Sequence, residues 1–107
     1  MIVAVRLQHR VEITYGHFGE FIVGLEEVNR LLRARGLAEF VPWAPMSGKV
    51  NQVVLISDYS DLATFKQQEG VFYSDAEVMS EWRKLAALLI QGSATIELLE
   101  PAPQLAP

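Results

Sequence analysis

The chain has 107 residues, a formal charge of −4 and no cysteine. That length holds one domain with one core, and the missing thiols exclude disulfides, thiolate metal sites and cysteine nucleophiles. Arg6, Arg10, Arg30, Arg33 and Arg35 are spread over a strand and a helix of an acidic chain, so no clustered basic surface for nucleic acid is expected.

The opening MIVAVRLQHRVEI alternates as a strand does. Val3, Val5, Leu7, His9, Val11 and Ile13 take the face expected toward the core. Ile2, Ala4, Arg6, Gln8, Arg10 and Glu12 take the mixed, opposite face. Then Phe18, Phe21, Ile22, Leu25, Val28, Leu31 and Leu32 recur at helical spacing. Thr14 or Gly16 is placed to open that helix and Gly36 to close it as a C′ glycine. LAEFVPWAP reads as a second strand. Pro42 and Pro45 lack amide donors, which confines it to an edge or ends it early.

MSGK is a turn, with Gly48 and Asn51 leading into VNQVVLIS, a β-branched third strand. Ser60 or Asp58 is placed to cap a short helix from about Asp61 to Glu69, interrupted at Gly70. Ser74 to Glu77 has capping-box spacing, and the helix it opens carries Val78, Trp82, Leu85, Leu88 and Leu89 as far as Gly92. SATIELLE is a fourth strand. The order defines an α+β, ferredoxin-like βαββαβ domain over residues 1–101, followed by a flexible proline-rich tail, 102–107.

A four-stranded antiparallel sheet with its helices on one face leaves the other face bare. Two such sheets packed together make a dimeric α/β barrel, so a homodimer through the open sheet face is expected. Half of the residues are hydrophobic, a generous share for so small a domain, and an oligomer interface would use the surplus. No apolar run is long enough to span a bilayer, and no secretory leader pattern opens the chain. A soluble, cytoplasmic protein without a membrane partner is the expectation.

Four stretches together carry a resemblance. They are G-x-x-N-Q-V-V from Gly48 with Y-S-x-L-A from Tyr59, G-x-F-x-E-F from Gly16, W-x-x-L from Trp82 followed by ALLIQG, and the closing IELLEP. Their order and spacing are similar to those of NIPSNAP-like proteins of the dimeric α/β-barrel superfamily. The resemblance implies the fold and a homodimer. Its wider superfamily includes cofactor-free monooxygenases, cyclases and isomerases as well as haem-degrading enzymes. Two departures stand out. Leu7, His9 and Val11 occupy the place of a Glu-x-Arg-x-Tyr pattern in the first strand. Ser57 stands where relatives often carry an aromatic residue, two positions before Tyr59.

Relatives hold a ligand cavity between sheet and helices, and His9 lies on the strand face turned toward it. Its imidazole titrates near neutrality, so it is the candidate acid or base. A core histidine satisfied by backbone groups is the competing reading. Tyr59, Tyr73, Trp43 and Phe72 supply flat or hydrogen-bonding surface for an apolar or aromatic ligand. Asn51 either orients a substrate carbonyl or fixes its own turn. His9 and His17 lack chelating spacing, and the second long helix has no histidine for haem iron. GxSxG, P-loop and GxGxxG patterns are absent.

The expected function is binding of a small apolar or aromatic metabolite. A cofactor-free cyclase, isomerase or monooxygenase of secondary metabolism is one form, and a non-catalytic ligand-binding or partner subunit is the other.

Overall fold

A computed structural model of the chain describes residues 1–102; the expected flexible tail lies, from residue 103 on, outside the described residues. The elements are β1 (Val5–Glu12), α1 (Phe18–Ala34), β2 (Val41–Trp43), β3 (Gln52–Tyr59), α2 (Leu62–Ser74), α3 (Ala76–Ala86) and β4 (Thr95–Leu99). The strands form one sheet in the order β2-β3-β1-β4, with every neighbouring pair antiparallel. This is the ferredoxin-like α+β arrangement. Among the described residues, no helix is long and apolar enough to cross a membrane.

The alternation of β1 becomes a two-faced sheet. Val5, Val11 and Ile13 are buried, together with Val53, Leu55, Ser57 and Tyr59 of β3. Against this face pack Phe21, Leu25, Val28, Leu31 and Leu32 of α1, with Val78 and Leu85 of α3. The helices therefore cover one side of the sheet and leave the side of Arg6, Gln8, Arg10, Val54 and Ile56 open. In α1, Gly24 lets α3 approach closely, since a Cβ there would stand 3.0 Å from Leu85 Cδ1.

Helix ends show where local reading succeeds. Gly36 takes φ 69°. Its N–H donates to Arg33 O, and the Leu37 N–H donates to Leu32 O. This is the paired closure of a Schellman motif, and it turns Leu37 back onto the helix. Gly36→Ala is expected to destabilise the domain by about 1–2 kcal/mol, the cost of a Cβ in the left-handed region, measurable by urea denaturation. At the other end, α1 starts at Phe18 with no side-chain cap on His17. Gly16, at φ 87°, makes the turn before it.

The middle helices correct four expectations. Asp61, rather than Ser60 or Asp58, caps α2 by accepting from the Thr64 N–H. That helix runs through Gly70 to Ser74, because a glycine weakens a helix without breaking its hydrogen bonds. Nothing lies within 4 Å of a Cβ built on Gly70, so Gly70→Ala is expected to stabilise by about 0.5–1 kcal/mol, read as a raised melting temperature.

Asp75 caps α3 in place of Ser74, accepting from the Glu77 and Val78 N–H groups. The Ser74 hydroxyl donates back to Val71 O instead. Asp75 prevails because its carboxylate also receives Arg35 from the end of α1. The Val78 amide, more than Arg35, holds that carboxyl below its ordinary range. Finally, α3 ends at Ala86, well before Gly92. Its continuation instead pairs with the end of β1, where Thr14 N donates to Leu88 O and Ile90 N to Glu12 O.

Candidate ligand pocket

A cavity of about 330 Å³ opens between the covered sheet face and the helices. Its floor comes from one side of the sheet: Leu7 and His9 of β1, Tyr59 of β3, and Ile96 and Leu98 of β4. Antiparallel register sets Leu55, His9 and Ile96 in one row, and Ser57, Leu7 and Leu98 in the next. Its walls are Leu32, Leu37 and Phe40 on one side and Phe65, Phe72, Tyr73 and Trp82 on the other. The helices stop short of the β4 edge, so Ile96 and Leu98 remain 59% and 45% exposed although they point to the helix side. This uncovered edge is the mouth.

Aromatic packing shapes the interior. Phe40 stacks on Trp82 at 5.2 Å between centroids with an interplanar angle of 23°, and Phe72 meets both edge-on. The His9 ring lies 5.6 Å from that of Trp82. On the far side Tyr59 meets Phe65 edge-on at 5.1 Å. Such contacts hold rings rigid and leave flat apolar surface toward the space between them.

His9 carries the polar chemistry. Burial alone holds its imidazole below the ordinary value of 6.5. No hydrogen bond to its ring is found among the described residues, so its nitrogens are free to meet a ligand. The neutral ring offers one donor and one acceptor. Burial likewise pushes the Tyr59 phenol up, partly offset by the Ser57 hydroxyl, so Tyr59 is a neutral hydroxyl at physiological pH. Lys66, Gln68 and Glu69 add polar groups to the lining.

The direction of the His9 shift fixes a sign. The unfolded chain binds a proton at His9 near pH 6.5 and the folded chain only below that. Stability therefore falls as pH drops from about 6.5 through the folded value. Replacing His9 by leucine is expected to remove this contribution. The melting-temperature difference between His9→Leu and wild type should widen in favour of the variant from pH 7 to pH 5. A pH-independent difference would contradict a neutral, desolvated imidazole.

Four of the six residues singled out in the sequence come together here: His9, Tyr59, Phe72 and Tyr73. Two do not. Trp43 pairs with Val54, opposite Arg10, which puts it on the open face, 61% exposed. Asn51 sits at the far end of β3, where its side-chain Nδ2 donates to Ile13 O at 3.0 Å and its backbone carbonyl accepts from Ile13 N at 2.8 Å. Its role is to clamp the start of β3 to the end of β1.

The structure gives a supporting role to three further residues, of which only Ser57 stood out in the sequence. Asn29 holds Phe40 on both sides, donating to its carbonyl and accepting from its N–H, each at 2.8 Å. The Ser57 hydroxyl donates to Glu39 O at 2.9 Å, and the Ala38 N–H donates to Gln68 Oε1 at 2.8 Å. Together they pin the segment carrying Leu37, Ala38 and Phe40, one wall of the cavity. Their signals were an asparagine inside a helix and a serine inside an apolar strand, both places where a polar side chain needs a partner.

Fold and pocket define a ferredoxin-like α+β domain with a ligand-sized cavity between sheet and helices. No family model matches the chain, and no curated protein matches it. Solved structures do. A NIPSNAP family protein of Agrobacterium tumefaciens superposes with a TM-score of 0.75 at 18% identity, covering 92% of both chains. A NIPSNAP domain protein of Burkholderia xenovorans gives 0.76 at 19% identity, over 96% of this chain and 99% of that one. An antibiotic biosynthesis monooxygenase gives 0.70 at 12% identity, over 92% and 99%. At these identities the likeness shows a shared fold.

Proposed function

We propose that the chain is a NIPSNAP-like homodimer, its residues 1–101 a single domain, that binds a small, flat, largely apolar molecule in the cavity. The observation that carries this reading is an open, aromatic-walled space with an unpartnered neutral histidine on its floor. A core histidine would have its nitrogens satisfied by the fold, and a plain partner subunit would have closed its interior. The neutral His9 and Tyr59 groups select a ligand bearing a carbonyl or hydroxyl rather than a fixed charge. As catalyst, His9 takes a proton from a carbon or oxygen acid of the bound molecule, and Tyr59 and Tyr73 orient it. This chemistry suits a cofactor-free cyclase, isomerase or monooxygenase of secondary metabolism. The monooxygenase among the structural neighbours supports it at the level of fold.

The chain has two tryptophans, and only Trp82 lines the cavity, so Trp43→Phe leaves a reporter at the site alone. In that background, 1-naphthol is expected to quench the fluorescence of Trp82. Adding His9→Leu should weaken the binding by about tenfold, the loss of one hydrogen bond of ordinary strength. No quenching by 1-naphthol, 2-naphthol or naphthoquinone would remove the ligand-binding reading. Quenching indifferent to His9 would remove the histidine from it.

The homodimer reading rests on the open sheet face. Val41, Trp43 and Leu99 are exposed there by 51%, 61% and 38%, with Val54 and Ile56 between them. Light scattering is expected to report two copies at micromolar concentration, and a stable monomer would overturn it.

A further inference from the structure

The open sheet face carries six charged side chains, and the structure pairs four of them within the chain. Arg6 grips Asp58 with two hydrogen bonds, of 2.7 and 3.0 Å. Lys49 reaches Glu12. Arg10 and Glu97 remain, both exposed, and neither has an ion-pair partner among the described residues.

Their placement is specific. Arg10 stands opposite Thr95, and Glu97 opposite Gln8. They are diagonal neighbours on β1 and β4, beside the apolar strip of Trp43, Val54, Val41 and Ile56. One leftover cation and one leftover anion make the face neutral and self-complementary. A two-fold axis requires that if one residue meets a second across it, the second meets the first on the other side. A single face with one charge of each sign satisfies that condition, whereas a strongly charged partner would meet one like charge.

We propose that Arg10 of each copy pairs with Glu97 of the other, setting the register in which two sheets meet. The inference rests on the homodimer reading and names its partner surface. Trp43 and its apolar neighbours provide affinity, and the reciprocal ion pairs exclude slipped packings, in which Arg10 would be desolvated without a partner.

The test is a charge swap read by analytical ultracentrifugation, with melting curves to confirm that each variant folds. Arg10→Glu alone and Glu97→Arg alone are each expected to raise the dimer dissociation constant by about a hundredfold. Mixing the two variants should restore a one-to-one heterodimer, because each copy then supplies the charge the other lacks. A pair within one chain would gain nothing from mixing. Single variants that dimerise like wild type, or a mixture that stays monomeric, would overturn the pairing while leaving the dimer standing. Wild type that is monomeric at the same concentration would instead remove the dimer itself, and the pairing with it.

Discussion

Trp82→Ala is expected to lower the stability of the domain by about 3 kcal/mol, the low end of the range for deleting a large aromatic, because the indole is only partly buried against the core. Trp82 bridges the two halves of the pocket. It stacks on Phe40 at 5.2 Å, meets Phe72 at 5.6 Å and lies 5.6 Å from the His9 ring. Removing it leaves a void continuous with the cavity, and the rigid rings around it lose their shared partner. For a domain of this size each 1 kcal/mol moves the melting temperature by roughly 4–8 °C, so a fall of at least about 12 °C follows from those figures. Trp82→Phe, which keeps an aromatic face, should recover most of the loss. A fall of only a few degrees in the alanine variant would mean that the aromatic cluster is not part of the core.

On the proposed homodimer, Trp43→Ala is expected to act mainly on association and little on folding. The indole sits on an edge strand of three residues and faces away from the helices. An exposed side chain of this kind holds few contacts within its own chain, so the melting temperature of the variant monomer should stay close to that expected for a surface substitution. In the proposed sheet-to-sheet dimer the second copy covers this side chain, and tryptophan is a frequent source of binding energy at interfaces. Its loss is expected to cost about 2 kcal/mol or more of dimer stability, a rise of roughly thirtyfold in the dissociation constant. Sedimentation across a concentration series measures it. An unchanged constant would place the interface elsewhere.

Several elements were legible residue by residue. The two-residue alternation of β1 predicted which of its side chains face the helices, and the structure keeps that division. Gly36 marked the end of α1 because its left-handed conformation is a local property of the backbone. Pro42 placed β2 at an edge because a missing donor cannot be supplied from outside. The helix starts were less legible. Ser74 and Asp75 are both good caps by chemistry. The choice fell to Asp75 because Arg35, forty residues earlier, arrives at its carboxylate.

The same boundary runs through the candidate pocket. His9 was placed by the alternation of β1, which a strand carries in its own sequence, whereas Tyr59, Phe72 and Tyr73 were chosen for their ring chemistry and only the fold brings them to the cavity. Trp43 was misplaced because β2 is too short to show a period of its own. Its facing is inherited from its register with Val54. Asn51 was drawn to the pocket by its type, and it clamps β3 to Ile13 because strand pairing brings that carbonyl within reach. The pinned wall from Leu37 to Phe40 depends on Asn29, Ser57 and Gln68, which come from three separate elements. By itself, then, the sequence determined the order of strands and helices and the buried sides of β1 and α1, since these follow short-range steric and hydrophobic periodicities. Only the tertiary structure decided which residues meet in the cavity and which charges go unpaired on the open face, because those depend on register between strands far apart in the chain.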